Sequence, residues 1–291
     1  MKSILYKVLF GVVHLISLWP FWILHLISEF LIFIIYRVIG YRKKMVLKNI
    51  RQSFPSMSME EAKAVRKEFY HHFSDLLIES IKSASMSQAE FQKRYRFINK
   101  YILDEYHKKD KSVIILSPHT GNWEWIFSIV GIIPYDVYAV YQKLTNPYMD
   151  DYIKATRQRF DAMMTPNREI FEKINAAVAQ DKQFLIWMAA DQACKPEKAK
   201  WVNFLNQETT FHQGFERMAR DINCPVFFMD INKVGRSNYE LNLHLIAEEP
   251  GKLPEGAIVE EFAKLSEHRI KEKPAYWLWS HNRWKHKKKT I

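Results

Sequence analysis

Cysteine and glycine are both scarce in this chain of 291 residues, which holds two Cys (Cys194 and Cys224) and eight Gly. Two cysteines make neither a disulfide framework nor a zinc site, so both are expected to be reduced, buried and inert. Collagen, coiled-coil, knottin and zinc-finger readings fall at the same time. Internal repeats and low-complexity tracts are missing too, and no alanine precedes Ala62. Acidic residues are the minority sign: 32 Asp and Glu stand against 43 Lys and Arg, a net charge of +11. That excess favours an anionic partner, whether nucleic acid, an acidic protein or a phospholipid surface. What is present suits a folded protein. Hydrophobic residues make up 48% and charged residues 26%, which excludes wholesale disorder. The length fits one large domain with an appendage.

Charge is absent altogether from Val8 to Ser28, and a second apolar run continues after Glu29 to Tyr36. About 20 predominantly apolar residues suffice to cross a bilayer. Residues 1–40 therefore read as a hydrophobic membrane anchor and 41–291 as the domain it carries. Pro20 lacks a donor and disrupts an interior helical turn. It leaves three forms open: a kinked span, a re-entrant hairpin, or a segment lying in the interface. A cleaved signal peptide would need small residues at its cleavage site, and the first alanine is Ala62. A core helix apolar on every face would need a large protein around it.

Arg37, Arg42, Lys43, Lys44, Lys48 and Arg51 follow the apolar segment, whereas only Lys2 and Lys7 precede or open it. Cytoplasmic flanks carry such an excess, so the domain is expected on the cytoplasmic face. The tail of Lys285, His286, Lys287, Lys288 and Lys289 reads as a solvated end that could also hold the domain against anionic phospholipid headgroups. Nucleic acid is not expected as a partner, because no helix-turn-helix pattern, zinc spacing or RNA-binding consensus occurs. The Tyr and Trp residues are scattered, with clusters near the anchor and the C-terminus, which membrane interfaces explain as well as base stacking would.

Within the domain, Ala62, Val65, Phe69, Phe73, Leu76 and Leu77 recur at helical spacing, and Ser58 with Glu61 forms a capping box ahead of them. Val113 to Leu116, Val137 to Tyr141, Phe184 to Ala190 and Val226 to Ile231 are short apolar runs suited to buried strands. Helical patterns alternate with them, one opened by Asn146-Pro147, others over Ile170 to Val178, Phe215 to Ile222 and Val259 to Ile270. Tyr239 to Leu245 alternates cleanly, as a half-exposed antiparallel strand near an edge does. The expected fold is α/β, a mostly parallel central sheet flanked by helices, with an N-terminal membrane-anchoring helix.

One segment concentrates the chemistry: Ser117-Pro118-His119-Thr120-Gly121-Asn122-Trp123-Glu124-Trp125, followed by an apolar helix to Ile133. Active sites of α/β sheets form beyond the carboxyl ends of strands, and His119 falls there. Five residues along one helix separate two side chains by roughly 140°. A His on the turn and a Glu in the first helical turn can nevertheless meet, given the latitude of Gly121 and Asn122. A carboxylate on the imidazole fixes its tautomer and supports the imidazolium that forms on taking a proton. No Ser or Cys sits in a nucleophile elbow, so the nucleophile is expected to be a hydroxyl of the substrate. The bland reading of His119 is a satisfied loop histidine.

His119-x4-Glu124 is similar to the H-x4-D/E motif of glycerolipid acyltransferases, and the wider pattern most resembles the lipid A late acyltransferases, the lauroyl and myristoyl transferases of lipopolysaccharide synthesis. The resemblance covers most of the chain. It runs through the apolar N-terminus, Arg42 to Pro55, HTGNWEW, Tyr141 with Asn146-Pro147, Arg157, Asp191-Gln192 and residues 277–285. It implies an O-acyltransferase at the bacterial inner membrane. The acyl chain would pass from acyl carrier protein or acyl-CoA to a hydroxyl of a lipid A precursor, with no cofactor and no metal. His119 and Glu124 match the catalytic pair, Glu124 orienting the base; Arg157 and Asp191 match substrate-binding polar residues. Local departures, Leu144-Thr145-Asn146 before Pro147 and the His-Thr-Gly-Asn turn, leave the pair intact.

From the residues alone the support for the auxiliary positions is thinner. Arg157 shares a stripe with Met149, Ile153 and Phe160 and could turn inward to grip a phosphate; Arg159, on the stripe of Tyr148 and Tyr152, is its rival, and a solvated helix face is the alternative for both. Asp191 ends an apolar strand, where a turn cap is the alternative to function. His281 and Arg283 read as structural or headgroup-facing. Two other functions stay open: an acyltransferase with a glycerolipid, aminolipid or glycolipid acceptor, and a non-enzymatic basic membrane adaptor.

Overall fold

The computed structural model describes residues 2–288, so Lys289 of the basic tail lies outside the described residues. The apolar N-terminus is broken into α1 (Lys2–Ser17) and α2 (Phe21–Ile32), with a π-helical continuation (Phe33–Ile39). Pro20 stands at the N-cap of α2, a position where its missing donor costs nothing. Phe21–Ile39 is long and apolar enough to cross a membrane. α3 (Lys43–Ser53) and α4 (Met59–Lys82) follow. The capping box expected at Ser58 and Glu61 is formed, with both reciprocal hydrogen bonds at 2.7 and 3.2 Å.

α5 (Gln88–Arg94), β1 (Tyr95–Phe97) and α6 (Tyr101–Lys108) lead into β2 (Val113–Ser117). A 3-10 helix (Trp123–Ile132), β3 (Asp136–Tyr141), α7 (Pro147–Gln158), β4 (Met163–Pro166), α8 (Ile170–Ala179) and β5 (Phe184–Ala189) come next. The remainder is a hairpin of β6 (Ala199–Phe204) and β7 (Gln207–His212), then α9 (Gly214–Asp221), β8 (Val226–Gly235), β9 (Asn238–Ala247) and α10 (Ala257–Glu272).

Seven strands form one sheet in the order β1-β9-β8-β2-β5-β3-β4, parallel at every pairing except β8 with β9. The α/β fold with a mostly parallel sheet is thus the observed one. β2 is its centre: Val113, Ile114, Ile115 and Leu116 are all fully buried. Ile114 and Leu116 face a core shared with α4, α8, α9 and α10, while Val113 and Ile115 face a second core under the 3-10 helix. A strand covered on both faces has to be apolar throughout, which is why it reads as a continuous run.

Some details differ from the sequence reading. The segment after His119 winds as a 3-10 rather than an α-helix. β9, by contrast, is antiparallel to β8 and near the edge as its alternation suggests, with only the three-residue β1 outside it. Cys224 is buried as expected but Cys194 is half-buried, since it lies on the loop after β5, outside the layers.

Candidate active site

β2 and β5 are parallel neighbours, and Ser117 and Ala189 are in register at their carboxyl ends. The loops leaving those ends carry His119 and Asp191. The Asp191 carboxylate bonds the His119 ring at Nδ1 and accepts the His119 backbone N–H at 3.0 Å and the Trp277 indole N–H at 2.6 Å. Burial by itself would raise the Asp191 carboxyl, but the His119 charge and these three donors outweigh it and bring its pKa down to about 2. Asp191 is therefore ionised and can only accept, which puts the imidazole proton on Nδ1. Nε2 is left with its lone pair outward, 3.1 Å from the Gln192 amide nitrogen. Such an imidazole is ready to take a proton.

The turn that presents His119 is fixed from several sides. Leu278 donates its backbone N–H to the His119 carbonyl at 3.1 Å, and Gly121 donates to Tyr276 at 3.0 Å. Gly121 has φ +56°, and a Cβ there would lie 2.5 Å from the Ile231 carbonyl oxygen, so both the conformation and the space require glycine. The Gly121 carbonyl is 3.1 Å from Nε2 of buried His72. Burial, then the nearby Lys233 charge, push the His72 pKa down to about 3. The ring is neutral and donates from Nε2, with Nδ1 facing the Lys233 ammonium at 3.4 Å. Asn122 caps the 3-10 helix by accepting from Trp125 at 3.2 Å and donates to Glu79 at 2.6 Å. Glu79 is fully buried; burial raises its pKa to about 7, against the opposing pull of Lys233, Ser237 and Tyr239.

Glu124 does not orient His119, which corrects the pairing expected from spacing. One Glu124 oxygen is ion-paired with Arg157 and the other accepts from the Trp123 indole at 3.1 Å. The physical reason is the sheet. It brings Asp191 under His119 through strand neighbours 72 residues apart in the chain, while the tight 3-10 turn aims Glu124 toward α7. Trp123 stands between the pairs, its ring edge-on to His119 at 5.2 Å. Arg157 does turn inward, as its stripe suggests. Arg159 instead donates to the carbonyls of Ser83 and Met86, closing the end of α4.

A groove of about 380 Å³ opens between α1, α4 and α7, its walls including Phe10, Leu77, Phe127, Met149 and Ile153. Glu124 and Arg157 are the charged residues along it. A second opening of about 330 Å³, beside Trp123, Leu278 and His281, shares Leu77, Ser80 and Glu124 with the first. A depression of about 850 Å³ lies at the opposite edge of the sheet against Lys111, Asp136, Gln183 and Cys224, where the strands begin. Size alone does not make that depression a reaction centre, and ligands of open α/β sheets gather at the carboxyl edge. Arg283 is fully buried between Phe204 and Phe211 and donates to Thr209 and Thr210 at 2.7 Å, a structural role. Gln192, His72 and Glu79 carry no local sequence signal that marks them as neighbours of this turn. Their signal is long-range: each lies on another element, and only the fold brings it to the turn.

Among families of known proteins, the class that matches is an acyltransferase. The chain belongs to the bacterial lipid A biosynthesis acyltransferases, whose family model matches residues 3–286. No curated protein matches it.

Proposed function

We propose that the protein transfers a fatty acyl chain from an acyl thioester, borne by acyl carrier protein or coenzyme A, to a hydroxyl of a lipid A precursor. The reaction would take place at the cytoplasmic face of a bacterial inner membrane. The observation that carries the chemistry is the His119–Asp191 pair: with its proton on Nδ1, the ring keeps Nε2 as an acceptor, facing the Gln192 amide in the structure and the acceptor hydroxyl in the reaction. His119 Nε2 takes the proton of the acceptor hydroxyl as its oxygen attacks the thioester carbonyl. Asp191 holds the ring and stabilises the imidazolium. When the tetrahedral intermediate collapses, the C–S bond breaks and the thiolate recovers the proton from Nε2, so the base is restored. No step calls on a metal or prosthetic group.

Arg157, aligned by Glu124 and Trp123, is assigned to an anionic group of the acceptor, since a guanidinium keeps further donors after one ion pair. The apolar groove beside it is the right kind of place for a fatty chain, with walls of Phe, Leu, Met and Ile. Membrane attachment is supported by the exposed apolar faces of α1 and α2, on which Leu5, Val8, Trp22, Leu26 and Phe30 are 60–68% exposed. An assay of acyl transfer in detergent, with a thioester donor and a panel of lipid A precursor, glycerolipid and glycolipid acceptors, tests the reading. Transfer to the lipid A precursor is expected, with a loss of roughly 10²–10⁴-fold in His119→Ala. Equal transfer by His119→Ala, or transfer only to another acceptor, would refute it.

A further inference from the structure

We infer that residues 4–39 lie flat in a single leaflet and cross the bilayer nowhere, with the first turns of α1 on the same face as the catalytic domain. The inference rests on the membrane attachment proposed above and specifies its form.

The segment is moored to the body at three places along its length. Near its start, Tyr6 and Phe10 of α1 stack on Tyr148 and Tyr152 of α7, with ring centroids 4.6 and 4.2 Å apart, and Asn146 donates to the Tyr6 hydroxyl at 2.6 Å. At the break between the helices, Lys82 donates from Nζ to the carbonyls of Ser17 and Trp19, each at 2.9 Å, and the Ser85 hydroxyl donates to Ser17 at 2.6 Å. These bonds satisfy carbonyls that the end of α1 leaves without helical partners. Along α2, buried Ser28 donates to Asp75 at 2.7 Å and accepts at its carbonyl from Ser74 at 2.8 Å. Glu29 pairs with Arg236 at 2.9 Å, and Arg236 and Lys233 both pair with Asp75.

Each crossing geometry breaks one of these moorings. A span through α2 would either take Asp75, Lys233 and Arg236 into hydrocarbon or strip Ser28 and Glu29 of their partners, and ionised groups at membrane depth are costly. An inserted α1–α2 hairpin would need its tip, residues 17–19, at the far surface, yet Lys82 and Ser85 hold that tip against the end of α4. Lying flat preserves every bond. The inward stripe of α2, Leu24, Ser28 and Ile32, stays on the protein, while the outward Trp22, Leu26 and Phe30 enter the acyl layer.

The occupant of this face is an anionic phospholipid leaflet. Exposed Lys7, Arg37, Lys44 and Lys48 lie on or directly after the apolar segment, so headgroup charge is met where the helices meet the surface. The arrangement also gives α1 a second task. Leu9, Phe10 and Val13 form one wall of the apolar groove that reaches Glu124 and Arg157. With α1 in the leaflet, a lipid chain enters that groove sideways from the bilayer without passing through water.

One cysteine added at a time to the full chain, beside the native Cys194 and Cys224, tests this with a membrane-impermeant maleimide, applied to sealed membrane vesicles of either orientation and corrected for the parent protein's own labelling. Arg51→Cys marks the face that carries the domain. Lys7→Cys and Arg37→Cys are expected to label from that same face, and Leu18→Cys not to label from the opposite face. Labelling of Lys7→Cys from the opposite face means one crossing, and labelling of Leu18→Cys from it means an inserted hairpin; either overturns the inference and leaves attachment standing. Recovery of the chain in the soluble fraction at low salt would overturn attachment as well.

Discussion

At the scale of single residues, a buried carboxylate with three donors is strongly committed to its ionised form, and Asp191 rather than Glu124 is the carboxylate bonded to His119. Glu124 is a pairing residue of a different kind, about a third exposed and matched to a guanidinium. The His72 ring beneath the turn gives a testable sign. Its folded pKa, about 3, lies below the ordinary value of 6.5, so the unfolded chain binds the proton first as pH falls. His72 therefore weakens the folded state progressively from pH 6.5 downward, and this contribution flattens only near pH 3. Relative to His72→Gln, the wild type should gain about 1.4 kcal/mol of stability per pH unit between pH 4 and 6 and nothing more above pH 7. Denaturant melts at matched pH measure the difference. A flat difference would mean that His72 is not held neutral. The strand-end rule points to His119 in the sequence, while Arg157 and Asp191 rest mainly on the family resemblance, with only thin support from the helical stripe and the strand end. Sequence could not expose the partner of His119, because hydrogen-bond pairing across strands depends on which strands are neighbours.

The elements that matter most are the turn after β2 and the three helices around the groove. Gly121→Ala should destabilise by on the order of 2–5 kcal/mol, combining a left-handed conformation with a backbone clash at Ile231. Thermal unfolding checks this; a change below about 0.5 kcal/mol would show that the turn relaxes freely. On α7, Ile153→Trp fills the groove from one wall. It should lower kcat/KM for long acyl donors by about tenfold or more relative to short ones, since each buried methylene is worth about 0.8 kcal/mol. A donor-length series reads the outcome, and an unshifted preference would place the acyl chain elsewhere. Long elements were legible in advance: the capping box of α4, the Asn146-Pro147 start of α7 and the apolar β2 each carry a local physical signature. β1 and β4, of three and four residues, and the β6–β7 hairpin were not. Such short pairings are stabilised by the sheet and the layers around them more than by their own pattern.

Over the whole molecule, the exposed apolar face of α1 adjoins the groove that α1 helps to wall beside Glu124 and Arg157. The net charge of +11 suits both anionic lipid and an acidic carrier protein. Membrane binding should accordingly weaken as phosphatidylglycerol is diluted in vesicles of otherwise constant composition, which a sedimentation assay detects; binding indifferent to lipid charge would leave only the apolar contribution. The account as a whole turns on which carboxylate serves His119. The most direct measurement compares acyl-transfer kinetics of Asp191→Asn and Glu124→Gln, each verified as folded. The predicted result is a fall in kcat of roughly 10²–10⁴-fold for Asp191→Asn, with Glu124→Gln acting mainly on the acceptor KM. A collapse of kcat in Glu124→Gln with Asp191→Asn near wild type would contradict it.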